Sequence, residues 1–308
     1  MDAKVCTDKK TGEVVCKEMS KSVANRDLPP IPAGLAADAC TLMLFYQYVE
    51  PSWTKSEHKK ARAFVIGLGE KLGVTGRGRC AAEGLNCTLT GSPDAIRNFA
   101  NGLRKWNKIF EETDFKLTDG LDAKERFKAL TIRKTDELVA YGLGGDAAPS
   151  LNDNDTLHVE ATKYHKMMQK KDTVIIDVRN AYESAIGHFA PPEGGAQLLD
   201  PKMRNSREFP KWLNAPETQQ KLDGKNIMMY CTGGIRCERA SALMQNLAEA
   251  TPNFDPKKVV MLRGGIERYM RTYPEGGYWK GKNFLFDRRF EQVPEMKTQK
   301  ALDADVER

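Results

Sequence analysis

Cys231 heads the run Cys231-Thr232-Gly233-Gly234-Ile235-Arg236-Cys237-Glu238, directly after the apolar segment Ile227-Met228-Met229-Tyr230. A buried strand that stops at a cysteine, two glycines that permit a tight turn and a helix that starts soon after would curl successive N–H groups inward. The helix N-terminus adds the positive end of its dipole. Arg236 can return to the loop rim as a planar, permanently charged fork. Each feature favours thiolate over thiol, so the Cys231 pKa is expected well below the free value of about 8.5. A persulfide, with its negative outer sulfur, fits the same cradle. A lone cysteine at a strand end is ordinary packing; here strand, paired glycines, arginine and helix start coincide.

A phosphatase loop also sets Cys and Arg around an anion, with five residues between them. Only four separate Cys231 from Arg236, and the next position is Cys237. The shorter loop suits a single sulfur atom. The expected active loop is therefore Thr232, Gly233, Gly234, Ile235 and Arg236 around a catalytic Cys231. Cys237 either packs the first helical turn, the preferred reading, or serves as a resolving thiol. Asp177 and Arg179 either frame the pocket or form a salt bridge that fixes loops at the sheet edge. Seven cysteines at irregular spacing do not suggest a disulfide framework. Cys6, Cys16, Cys40 and Cys80 read as small core residues. No Cys-x2-Cys pair occurs, so no metal site is expected.

The elements that must position this loop follow an alternating pattern. Thr173-Val174-Ile175-Ile176-Asp177-Val178-Arg179 reads as a buried strand, and 225–230 and 259–262 as two more. Helices are expected over 159–169 and 235–248. Strands alternating with helices imply a parallel sheet covered on both faces, with ligands at the carboxyl ends of its strands. Ahead of it, the run 42–49 reads as a strand and Pro51-Ser52-Trp53 as a helix start. Strands follow over 74–80 and 85–90, then a helix capped by Ser92 with Pro93 at its first position, then a strand over 109–117. That order is the β-α-β-β-α-β ferredoxin-like unit. The expected organisation is a flexible extension over 1–40, a ferredoxin-like α+β domain over 41–141, a linker over 142–156, an α/β domain over 157–290 and a polar tail over 291–308.

The 308 residues carry 48 Lys and Arg against 42 Asp and Glu, a formal charge of +6. So mild an excess permits RNA contact without demanding it. Arg77, Arg79, Arg97, Arg104, Lys105 and Lys108 form a basic strip, with Trp106 placed for stacking, or are simply solvated helix charges. No apolar stretch is long enough to span a membrane. The first residues lack a secretory signal pattern, so a cytoplasmic protein is expected.

The segment from about Thr173 to Phe286 resembles a rhodanese domain. The eight-residue loop from Cys231 to Glu238, with Asp177-Val178-Arg179-Asn180, Gly187-His188-Phe189, Leu262-Arg263-Gly264-Gly265-Ile266 and Trp279-x-Gly281-Lys282-x-Phe284-x-Phe286-Asp287, resembles more closely the rhodanese-containing tRNA uridine 5-hydroxylases. Ala82-Glu83-Gly84-Leu85-Asn86-Cys87-Thr88-Leu89-Thr90-Gly91 is similar to that family's Glu-Gly-Ile-Asn-Gly-Thr segment, with Cys87 where Gly is common. The resemblance implies an acylphosphatase-like domain before the rhodanese domain. It also implies oxygen-dependent hydroxylation of the wobble uridine of tRNA, with Cys231 as the essential thiol, Arg236 as its charge partner and no evident metal or flavin. His188 resembles the rhodanese position that ties the sheet to the next loop. Two other readings stand beside it. One is a sulfurtransferase that moves sulfane sulfur from a donor such as thiosulfate to small thiols; the other is a non-enzymatic rhodanese-like binding module. tRNA and small sulfur compounds are the expected partners, and no obligate protein partner is evident.

Overall fold

The computed structural model describes residues 27–144, 148–152, 154, 156–285 and 291–294, and the backbone of two short antiparallel strands ahead of them, β1 (Val5–Thr7) and β2 (Val14–Cys16). Most of the expected extension, and the tail beyond 294, lie outside the described residues. The Pro-rich stretch is held in place: Arg97 donates from Nε and Nη2 to the carbonyls of Pro29 and Pro30 at 2.8 and 3.2 Å.

The first sheet is built from β3 (Cys40–Tyr48), β4 (Thr75–Ala81), β5 (Gly84–Gly91), β6 (Lys116–Leu121) and β7 (Leu130–Lys134), with α1 (Lys55–Lys71) and α2 (Pro93–Trp106). The strand order is β6-β3-β5-β4-β7. The first four run antiparallel in the ferredoxin-like order, and β7 adds an edge parallel to β4. Met43 and Phe45 of β3 point to the helices and pack with Val65, Ile96, Phe99 and Leu103. Truncating a buried ring such as Phe99 costs about 3–5 kcal/mol. By strand alternation Leu42, Leu44, Tyr46 and Tyr48 face the other way, so β3 is covered on both sides.

Three local expectations differ from the structure. The first helix starts not at Pro51 but after Thr54, whose side chain accepts from the Glu57 N–H while Glu57 accepts from the Thr54 N–H. The chain over 109–115 is not a strand, because Asn107 caps a short 3-10 turn at Lys108–Phe110 and pairing begins only at Lys116. The expected helix over 159–169 is split into β8 (Leu157–Val159) and α3 (Ala161–Met167), since the first residues pair with a sheet edge.

After α3 come β9 (Thr173–Asp177), α4 (Ala181–Ser184), β10 (Gly187–Phe189), β11 (Gln197–Leu199), α5 (Glu208–Asn214), α6 (Pro216–Leu222) and β12 (Asn226–Tyr230). Then follow α7 (Ile235–Ala250), β13 (Lys258–Leu262), α8 (Gly265–Thr272), β14 (Trp279–Gly281), β15 (Asn283–Phe284) and β16 (Glu291–Gln292). The second sheet is parallel throughout, in the order β11-β9-β12-β13-β8. Alternation sorts its side chains into two cores. Ile227, Met229, Val174 and Ile176 meet α5, α6 and α7, while Met228, Ile175 and Val260 meet α3 and α8. The carboxyl ends of the adjacent strands β9 and β12 present Asp177 and, one step on, Cys231. Among the described residues no helix is long and apolar enough to cross a membrane.

Candidate active site

Cys231 leaves β12 into a turn whose geometry only glycine allows. Gly234 has φ +108°, and a Cβ there would lie 2.9 Å from the Tyr46 hydroxyl. Its N–H donates to Cys231 Sγ at 3.1 Å, and it caps α7. Behind the loop, Gly264 and Gly265 turn the chain so that the first N–H groups of α8 meet the loop carbonyls. Ile266 N–H donates to Cys231 O at 3.0 Å and Glu267 N–H to Thr232 O at 3.1 Å. A Cβ on Gly265 would stand 2.5 Å from Thr232 O and 2.6 Å from Cys231 O. The Leu262-Arg263-Gly264-Gly265-Ile266 segment is thus the floor on which the loop rests.

Burial works against charge on Cys231, but other influences outweigh it. A hydrogen bond from Cys237, the positive charge of Arg236 and the N–H groups of Arg236 and Gly234 bring its pKa down to about 6. Burial, and then the hydrogen bond to Cys231 and its charge, push the Cys237 thiol the other way. One sulfur is therefore ionised at neutral pH and its neighbour stays protonated as a donor. Both are free thiols with no exposed surface. Cys237 packs in the first turn of α7, one of the two roles expected for it, and its thiol also hydrogen-bonds the Cys231 sulfur.

Arg236 returns to the loop and is buried there with a second partner. Its Nη1 and Nη2 donate to Glu183 Oε2 and Oε1 at 2.6 and 2.8 Å, and Nη2 also to Thr232 Oγ1 at 3.0 Å. Burial raises the Glu183 carboxyl, yet Arg236 prevails and holds it below the usual range. The reason is shape: a buried guanidinium needs a planar carboxylate partner, and α4 supplies one. Glu183 is absent from the sequence-derived site. Its one visible signal is Asn180-x-x-Glu183, a capping box that the structure forms.

Asp177 and Arg179 form a salt bridge at 2.6 Å with neither side chain exposed. Asp177 also accepts from the Tyr230 hydroxyl at 2.7 Å, and Arg179 donates to Gly187 O at 2.7 Å while lying 5.1 Å from the Trp279 ring centre. These contacts tie β9, β12, β10 and β14 together. His188 approaches the Ser184 carbonyl at 3.3 Å. Cys40 and Cys80 are buried core residues, while the side chains of Cys6 and Cys16 lie outside the described residues. Cys87 sits opposite Gly78 in the β4–β5 register, with its sulfur 2.6 Å from where a Cβ on Gly78 would be. The departure from Gly at Cys87 is thus matched by an absent side chain across the strand. Among the described residues no group of three or more His, Cys, Asp or Glu could hold a metal ion.

The outer face of the first sheet docks beside the loop. Tyr46 donates to Glu238 Oε1 at 2.8 Å, and His158 Nε2 lies 2.9 Å from the same oxygen. Glu83, in the Glu-Gly motif, accepts from the Leu138 N–H at 2.6 Å and from Arg239 Nη2 at 2.7 Å. It thereby joins the second sheet's α7 to the segment 138–141. Tyr141 donates to Arg236 O at 2.8 Å, and Leu138, Val139 and Tyr141 share an apolar cluster with Cys231, Ile235 and Cys237.

Between the two domains lies a cleft of about 730 Å³. Its walls include Arg77, Arg79 and Arg133 from β4 and β7, Arg207 from the second domain, and Ile235 and Arg236 of the loop. The basic strip of the sequence is therefore divided. Arg77 and Arg79 reach the cleft, whereas Lys105 and Lys108 lie on and just beyond α2, on the helical side of the sheet. Arg97 is committed to Asp119 at 2.9 Å and Arg104 lies 5.3 Å from the Phe115 ring centre. Trp106 stacks on Phe64 at 4.5 Å within the helical layer rather than standing open to a base.

Residues 40–138 match the family model of the UPF0176 acylphosphatase-like domain, and residues 160–272 that of the rhodanese-like domain. A tRNA uridine(34) hydroxylase of Bacillus licheniformis is 33% identical over 253 residues, 80% of this chain and 70% of that protein. One of an Arthrobacter species is 31% identical over 255 residues, 80% of this chain and 79% of that protein. Rhodanese-like domain-containing protein 6 of Arabidopsis thaliana is 34% identical over 262 residues, 80% of this chain. The chain spans less than half of that last relative, 43% of its length.

Proposed function

We propose that this chain, which belongs to the tRNA uridine(34) hydroxylase family, hydroxylates the wobble uridine of tRNA at C5, with Cys231 as the reactive group. The observation that carries the reading is a thiol lowered to about 6 in a loop that meets a cleft lined by arginine. Gly234, Arg236 and Cys237 supply the hydrogen bonds and charge that keep the sulfur anionic. Thr232 and Glu183 hold Arg236, and Gly264 and Gly265 hold the loop. Molecular oxygen is the co-substrate. Nucleoside analysis of tRNA from cells with and without the gene tests the reading. Loss of 5-hydroxyuridine-derived nucleosides on deletion, unrescued by Cys231→Ala, is expected; rescue by that variant refutes it.

The cradle of N–H groups around Sγ also favours a second reading, sulfane-sulfur transfer to small thiols through a Cys231 persulfide. Intact-mass measurement after thiosulfate treatment should then show one added sulfur in the wild type and none in Cys231→Ala.

A further inference from the structure

We propose that the interdomain cleft is an RNA-binding site that seats a short single-stranded segment, with phosphates on Arg77, Arg79, Arg133 and Arg207. This rests on the reading of tRNA as substrate and adds where on the protein the strand lies. Three of the four arginines come from one flat surface. Arg77 pairs in register with Thr131 and Arg79 with Arg133, so Arg77 and Arg79 stand two residues, about 7 Å, apart along β4. All three are exposed, on the face opposite the helices. Arg207 approaches from the second domain, so the charge lines both walls, and no Asp or Glu is among the lining residues.

Charge alone would suit any polyanion. What favours RNA is the company of the arginines: Asn86, Asn180 and Asn205 line the same cleft. Asn86 carries a paired donor and acceptor of the kind that read base edges, whereas Asn205 Oδ1 already accepts from the Arg207 N–H at 3.1 Å. A volume of about 730 Å³ falls in the range of ligand sites, and unpaired loop bases are the part of an RNA that can be splayed into such a space. Ile235 and Arg236 of the Cys231 loop are among the lining residues, so a strand lying in the cleft touches that loop.

The test is fluorescence anisotropy with a labelled anticodon stem-loop RNA across a salt series. Arg79→Ala with Arg133→Ala should weaken binding roughly tenfold. It should also reduce the slope of log K against log salt by about 1.4, at about 0.7 per lost contact to a single strand. Lys105→Ala with Lys108→Ala removes equal charge from the helical side and should bind as wild type does. Arg133→Ala with Arg207→Ala repeats the test without Arg79, which touches the Leu138 carbonyl at 3.4 Å. Equal loss in the helical pair, no loss in either cleft pair, or displacement of the RNA by polyglutamate at equal charge overturns the site. Wild-type protein that binds no tRNA refutes the substrate reading itself. Binding by wild type with unaffected cleft variants refutes only this inference.

Discussion

Glu183 grips Arg236 through both carboxylate oxygens, at 2.6 and 2.8 Å, so the arginine of the Cys231 loop is a buried strut as well as a charge. The sulfur itself is met by the Gly234 N–H at 3.1 Å. The loop therefore depends on a helix more than forty residues upstream to keep its shape.

Removing that grip leaves a guanidinium buried without its counter-charge. Glu183→Ala should lower the unfolding free energy by about 3–5 kcal/mol, read from the denaturant midpoint. Glu183→Gln, which keeps the shape and one acceptor, should lose less. A midpoint equal to wild type for both would show that the pair carries no structural weight.

The Cys231 pKa of about 6 makes a sharper prediction. The ultraviolet absorbance difference between wild type and Cys231→Ser should grow as pH rises, with its midpoint near that value. Cys237→Ala removes a hydrogen bond that lowers the pKa, so its midpoint should move up. Because the folded value lies below the ordinary value of 9.0, the ionised thiol contributes stability that is complete above about 9 and is lost as pH falls through about 6. Cys231→Ser should therefore flatten the pH dependence of stability across that window. A midpoint near 9 in the wild type would remove the basis for an activated thiol.

His158 shares the Glu238 carboxylate with Tyr46 of the first sheet. Glu238 raises its pKa above 6.5, with burial opposing and the hydrogen bond assisting. A ring titration by nuclear magnetic resonance should give a midpoint above 6.5 in wild type and a lower one in Glu238→Gln. The contact favours the folded state fully below about 6.5 and fades as pH rises through the higher folded value. Tyr46→Phe, which removes the hydroxyl bond to the same charged carboxylate, should cost about 2 kcal/mol. An unshifted histidine would mean that the pair does not form in solution.

The sequence displays the loop because everything that shapes it is contiguous: strand, cysteine, two glycines and helix start occupy one short run. The β-α-β-β-α-β order is legible for the same reason, each element having its own period or cap. Strands β8, β10 and β11, each of three residues, are too short for periodicity to register and exist only by pairing. Glu183 is hidden differently. Its Asn180-x-x-Glu183 pattern announces a helix cap, and only the tertiary fold gives the same carboxylate to Arg236. The carboxylate that grips Arg236 is not legible because spacing fixes reach and says nothing about which further partner a buried charge will find. Likewise, the basic strip is divided by the sheet that runs through it, and one-dimensional charge cannot show which face a strand arginine takes.

Leu138, Val139 and Tyr141 bear on how long a reactive sulfur survives. Peroxides attack the thiolate form of cysteine, and Cys231 holds that form at neutral pH. With no exposed surface, it is shielded from such oxidants. Leu138 hangs from Glu83 and Tyr141 is tied to the carbonyl of Arg236, and both share an apolar cluster with Cys231. Burial keeps the anionic sulfur away from oxidants carried by solvent, which spares it from wasteful oxidation.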